Sequence, residues 1–246
     1  FEEVGHIART AFLFASKLRP ADSCQNWADN MSSKLAPEHY LFGSHVMDDF
    51  DPAAITHIVQ EYLTPSKVNI FLLSPLLEKT FNHKDKWYGI PYGEERMSDE
   101  LQRRCRDASA DPLLHAPKPN EFIASNFDIL PQDGSPMTVP ELLCNDRFCQ
   151  VWYKQDHMFS LPHGFICLEV RSSAAYSSPE QAMFCNLLGQ HIDDALKPLS
   201  YDAELAHLKL RIVNTDAGLN ISLRGFSHKL PILLIRARRR SFRLHP

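Results

Sequence analysis

Histidine and cysteine are the residues of this 246-residue chain best equipped for chemistry, twelve of the former and six of the latter. Their spacing assembles no site. Histidines share a helical face when they stand about one turn apart, whereas His39 and His45 are six residues apart and fall on different faces. Cys144 and Cys149 have four residues between them, neither a redox nor a zinc spacing, and no paired histidines lie near. With Cys24, Cys105, Cys167 and Cys185 they read as small buried hydrophobes of a reducing compartment. Serines are plentiful, but no Gly-x-Ser-x-Gly elbow presents one as a nucleophile. The nine glycines form no loop that would cradle a phosphate. No catalytic residue and no metal ligand is assigned, and substrate-binding residues stay unassigned.

Two stretches could recognise a partner instead. Trp87-Tyr88-Gly89 and Pro91-Tyr92-Gly93 form an aromatic, turn-rich segment. It either stacks on a ligand or, as expected here, anchors a loop on the body of the protein. Arg236, Arg238, Arg239, Arg240 and Arg243 make a basic tail, residues 236–246. That tail suits nucleic acid or nuclear import, yet the expected reading is an atypical or misread end of a longer chain. Asn30-Met31-Ser32 and Asn220-Ile221-Ser222 fit the glycosylation triplet, which is common by chance.

Composition narrows the partners. A formal charge of −4 and a pI near 6.3 give no general attraction to nucleic acid or acidic lipid. No apolar run reaches the roughly 20 residues of a membrane helix. Neither nucleic acid nor membrane is expected as a partner, and a cytoplasmic location is. With 44% apolar residues the chain can fill a sizeable core. It opens at Phe1 inside an apparent helix (Phe1, Val4, Ile7, Ala8), as expected of a piece of something longer.

The elements that must position these residues follow from periodicity. Cys24, Trp27, Ala28 and Met31 repeat at helical spacing behind Asp22 and Ser23, predicting a helix whose stripe faces a core. Short helices are expected between Leu35 and Phe50, one starting at Pro37 and another at Ser44. Asp51-Pro52 is a cap followed by a first-turn proline, and Ile55, Ile58, Val59 and Tyr62 complete a helix. Val68–Ser74 is too continuously apolar for a surface strand and predicts one covered on both faces. A charged helix should run from about Ser98 to Ala108. Residues 109–141 hold six prolines, as an extended connector and domain boundary would. Strands are expected at 147–154 and 164–171, with a turn around 155–162. Ser178-Pro179 caps a long helix carrying Phe184, Leu187, Leu188, Ile192, Ala195 and Leu196.

Tyr201 to Pro231 holds a complete folding unit. A short helix with Tyr201, Leu205 and Leu208 precedes the alternation Leu208, Leu210, Ile212; Asp216-Ala217-Gly218 reverses the chain; Leu219, Ile221 and Leu223 alternate back. Pro231 then opens the apolar run Ile232 to Ile235. Helix, hairpin and helix predict an α+β layer.

YDAELAHL (Tyr201 to Leu208), the hairpin and GFSHKLP (Gly225 to Pro231) resemble the third structural domain of the insulysin/nardilysin (pitrilysin-type) family of zinc metallopeptidases, and its nardilysin branch most. DKWYGIPY (Asp85 to Tyr92), KPNEFIASNFDIL (Lys118 to Leu130) and VWYKQDHMFSLP (Val151 to Pro162) stand in the family's order, so the resemblance covers roughly residues 1–235. It implies an α+β fold of two partial two-layer α/β domains, helices on mainly antiparallel sheets, joined by a Pro-rich linker. In its terms residues 1–108 end domain two, 109–138 are the linker and 139–235 begin domain three. The family's catalysis is implied to rest on His-x-x-Glu-His, two histidines gripping zinc while the glutamate activates water. This chain lacks that motif; Glu38-His39 comes nearest, but Leu35 stands four residues before His39. The expectation is a non-catalytic middle portion of a zinc metalloendopeptidase, inactive and zinc-free alone. Peptide substrates, zinc, and domains one and four would then belong to the intact parent. The alternative is a protein-interaction module or pseudoenzyme on the same scaffold.

Overall fold

The structure is a computed structural model and describes residues 1–43, 49–74, 76–77, 81–131 and 136–241. Its helices are α1 (Glu2–Leu13), α2 (Pro20–Ser32), α3 (Pro52–Tyr62), α4 (Asp99–Arg106), α5 (Pro179–Leu205) and α6 (Leu230–Ser241). Its strands are β1 (His83–Lys84), β2 (Pro91–Tyr92), β3 (Glu141–Asn145), β4 (Gln150–Tyr153), β5 (His163–Arg171), β6 (Lys209–Thr215) and β7 (Gly218–Phe226). Every strand pair is antiparallel, and the mixture with helices is the expected α+β class. The chain divides into two compact units, residues 1–48 with 118–246, and residues 49–117.

The first unit is built on the sheet β5-β7-β6. Thr215 pairs with Gly218, so Asp216-Ala217 is a two-residue turn and the glycine is the first paired residue rather than part of the reversal. Gly218 has φ +142, and a Cβ there would strike the Val170 carbonyl of the neighbouring strand. On one sheet face the register aligns Ile166 with Leu223 and Leu210, and Leu168 with Ile221 and Ile212. α5 covers that face over β6 and α6 covers it over β7. Leu196, Leu199 and Ala203 of α5 join Leu230, Leu233 and Ala237 of α6 in one cluster around Leu208 and Leu223.

Ser178 caps α5 as expected, its Oγ accepting from the Gln181 N–H at 3.2 Å. The predicted pair of helices before the hairpin is instead one helix of 27 residues that passes Pro198 without ending. It stops where His207 takes φ +62, the left-handed conformation that commonly closes a helix, and the Leu208 N–H returns to the Ala203 carbonyl at 2.9 Å. α6 likewise runs on past Ile235 to Ser241. Leu230, Leu233 and Ala237 keep one buried stripe at helical spacing while Arg238, Arg239 and Arg240 face solvent. The arginines thus continue the amphipathic pattern through Ser241; Arg243 lies outside the described residues.

The Pro-rich connector is fastened as well as extended. Its segment Lys118–Leu130 threads into the core of this unit, where Phe122 is 2% exposed and Ala124 is equally enclosed. Asn120 turns it, accepting from the Phe122 N–H and donating to the Asp202 carbonyl. Phe127 packs against Phe14 and Phe226, with ring centres 4.9 and 5.4 Å away. Apolar residues at 122 and 127 fasten a chain that prolines otherwise keep extended.

The second unit is sparsely packed. α3 forms as predicted, with the Asp51 carboxylate accepting from the Ala54 N–H, and α4 begins at the Ser98 cap. Yet Ile55, Ile58, Val59 and Tyr62 are exposed. Val68–Ser74 is not the predicted buried strand: it has no regular structure, and Leu73 is 91% exposed. No strand of the described residues pairs with it, and an apolar run without ladder partners has no hydrogen-bonding reason to become one. In the first unit the predicted stripe of α2 is likewise uncovered. α2 starts earlier than expected, at Pro20, and buries none of its residues. A short 3-10 turn occupies Pro37–His39, while the turn expected at Ser44 lies outside the described residues.

Candidate interaction surfaces

Among the described residues no three of His, Cys, Asp and Glu come together in a way that could hold a metal. His45 is outside them. The histidines that engage the core act as fasteners. His6 donates from Nε2 to the Ala124 carbonyl at 2.8 Å, and His228 accepts at Nδ1 from the Asn126 N–H at 3.2 Å. Both hold the threaded connector. His163 lies on Phe226 with ring centres 4.7 Å apart. Although its side chain remains exposed, partial desolvation against that ring lowers its imidazole from the ordinary value, and nearby His207 pushes the same way.

The cysteines are not buried as expected: five are exposed and Cys185 is half-buried. Three lie on elements whose outer faces have no cover, Cys24 on α2, Cys144 on β3 and Cys167 on β5. Asp146 organises the β3–β4 turn by accepting from the Phe148 and Cys149 N–H groups at 2.7 Å each, which holds its carboxyl below the usual range. Neither glycosylation triplet presents a free asparagine. Asn30 donates to the Tyr40 carbonyl at 2.8 Å, and Asn220 contacts the Cys167 Sγ from within β7.

What the structure presents instead is apolar surface. The first half of α5 is apolar on both sides, with Met183, Phe184, Leu187 and Leu188 exposed, a pattern that calls for cover all round. β5 is an edge strand whose Leu168 and Val170 lie beyond the reach of the helices. Phe184, Leu187 and Leu188 are among the apolar residues expected on the long helix.

Trp87 and Tyr88 also depart from expectation. They do not anchor their loop; they are 80% and 87% exposed at the tip of the β1–β2 hairpin. Asp85 fixes that tip by accepting from the Trp87 and Tyr88 N–H groups at 3.0 and 2.6 Å. Gly89, at φ +67, closes it. The side chain holding the tip is Asp85 itself, so the aromatic rings are free of that duty.

Residues 12–244 match the family model described as the middle or third domain of peptidase M16. The chain is 32% identical over 235 residues to insulin-degrading enzyme-like 1, peroxisomal, of Arabidopsis thaliana, covering 95% of this chain and 24% of that protein. It is 29% identical over 237 residues to nardilysin of Rattus norvegicus, covering 95% of this chain and 20% of the relative. The fold is that of pitrilysin, whose crystal structure aligns with a TM-score of 0.75 and 22% identity over 100% of this chain and 26% of that one. The chain thus spans about a quarter of the length of the relatives it matches.

Proposed function

The chain belongs to the peptidase M16 middle-domain family, and from that membership we propose that it is a non-catalytic middle portion of an insulysin/nardilysin-type zinc metalloendopeptidase. The zinc site, with its His-x-x-Glu-His motif, lies outside these residues, and the chain supplies wall and connection to a peptide-hydrolysing chamber. The carrying observation is that one family model, for a middle or third domain, matches residues 12–244. The uncovered faces of α5 and β5 support the reading, because they are what a piece cut from a larger packed body exposes. In this reading 1–108 close domain two, 109–138 link, 139–235 open domain three, and domains one and four of the parent provide the missing cover. We place the parent in the cytoplasm, although one relative is named peroxisomal.

The test is elemental analysis of the purified 246-residue chain with a peptide-cleavage assay in the presence and absence of chelator. Zinc far below one equivalent and no cleavage are expected. Stoichiometric zinc with chelator-sensitive cleavage overturns the proposal.

A second reading, a protein-interaction module or pseudoenzyme on the same scaffold, is favoured by the exposed Trp87-Tyr88 tip alone. It requires a partner whose binding is lost in Trp87→Ala while the fold persists. Finding His-x-x-Glu-His in the coding sequence upstream of Phe1 favours the peptidase; finding that motif broken favours the pseudoenzyme.

A further inference from the structure

On the sheet face turned away from α5 and α6, the register sets Lys209 of β6 directly opposite Arg224 of β7. Phe165 of β5 is opposite the same arginine from the other side. Arg211 follows two residues after Lys209 on that face, opposite Ser222. Directly opposed side chains in an antiparallel pair have Cβ atoms about 5 Å apart, and like charges there repel. The three cations are exposed, and none has a hydrogen-bond or ion-pair partner among the described residues. Glu169, the acid that β5 contributes to this face, is held by Arg171 at 3.0 Å. Phe165 lies 66% exposed beside the cations. The face therefore joins uncompensated positive charge to an aromatic ring, and a ligand carrying carboxylates relieves the repulsion as it binds.

We propose that this face binds an extended acidic peptide with carboxylates at alternate positions and an apolar side chain next to them. Lys209 and Arg211 are separated along their strand by about 7 Å, the same repeat that an extended peptide gives to side chains on one of its faces. One carboxylate meets the Lys209–Arg224 pair, the next meets Arg211, and Phe165 takes the apolar group. A polynucleotide fits less well, because it draws on a wider basic field than three cations on a chain of formal charge −4 supply. The inference goes beyond the proposed function, since binding here needs neither zinc nor cleavage.

The experiment is fluorescence anisotropy of a labelled Glu-x-Glu-x-Phe peptide titrated with the 246-residue chain at low salt. A Lys-x-Lys-x-Phe peptide and a uridine-rich RNA serve as comparators. The acidic peptide is expected to bind, to weaken as salt rises, and to lose at least tenfold in affinity in both Lys209→Glu and Arg224→Glu. Lys209→Arg should retain binding. Lys209→Glu should also melt no lower than the parent chain, because its new carboxylate faces Arg224, which separates loss of the site from loss of the fold. Absent binding, equal binding of the lysine peptide, indifference to both reversals, or tighter binding of RNA overturns the proposal.

Discussion

The β6–β7 hairpin and the segment Val68–Ser74 are made of similar apolar residues and end in opposite environments. In the hairpin Leu223 is fully buried and Leu219 nearly so; in the segment Ile70, Phe71, Leu72 and Leu73 are all exposed. The hairpin has its cover beside it in the sequence, α5 just before and α6 just after. Val68–Ser74 has no strand partner among the described residues, and Ile70 to Leu73 are exposed. Apolar sequence states a need for burial, and only a neighbouring element meets it.

The largest effects should therefore fall where cover exists. Phe122→Ala removes the ring that ties the connector into the core and should cost about 3–5 kcal/mol, as for other buried aromatics. Leu223→Ala, at the centre of the sheet face, should cost about 2–5 kcal/mol. Urea denaturation followed by circular dichroism measures both. A loss below about 1 kcal/mol for Phe122→Ala would mean that the connector is a tether after all.

Next in size is Gly218→Ala. Its φ of +142 and its approach to the Val170 carbonyl leave no room for a Cβ, so the register of β5 against β7 must shift. A cost of about 1–3 kcal/mol is expected from a residue forced into that backbone region. The same denaturation series reads it, and a neutral result would show that the β5 edge is loosely held.

These sites also show how much was legible beforehand. The hairpin, α3 with its Asp51 cap, α4 with its Ser98 cap and the start of α5 all follow from local signals, caps and short-range alternation, which need only a few neighbouring residues. Less legible were features that depend on distant partners. Phe122 sits in a Pro-rich stretch without periodicity, and its burial arises from residues of α5, α6 and β7 that lie far along the chain. The strand β3 was hidden at the end of that same stretch. Pro198 separated nothing, because packing on both sides carries α5 across it. For the candidate surfaces, patterning found the long helix with Phe184, Leu187 and Leu188 but not which of its side chains stay exposed. The opposed Lys209 and Arg224 emerge only once the register is known.

A smaller effect concerns pH. Partial desolvation keeps His163 below its ordinary value, so the unfolded chain takes up a proton before the folded one does. This contribution to stability is whole above about pH 6.5, the ordinary histidine value, and is lost as pH falls from there through the folded pKa. His207 is the ionisable neighbour acting on it, and Phe14 and Phe226 are the rings packed against it. His163→Phe keeps the stacking and should flatten the difference in urea midpoint between pH 7.5 and pH 5.5. An unchanged difference would assign the acid sensitivity to groups other than His163.

The smallest expected change sharpens the comparison most. Leu72→Ala removes a side chain of the same kind as Leu223→Ala does, but from an exposed position, so it should alter the stability of this chain by no more than about 0.5 kcal/mol. Binding of an apolar dye should fall in Leu72→Ala, because the variant loses surface that was already in water. In Leu223→Ala dye binding should rise as the core loosens. If Leu72→Ala instead costs as much as Leu223→Ala, then Val68–Ser74 is covered in solution, and the contrast between a hairpin with its own cover and an apolar run without one is lost.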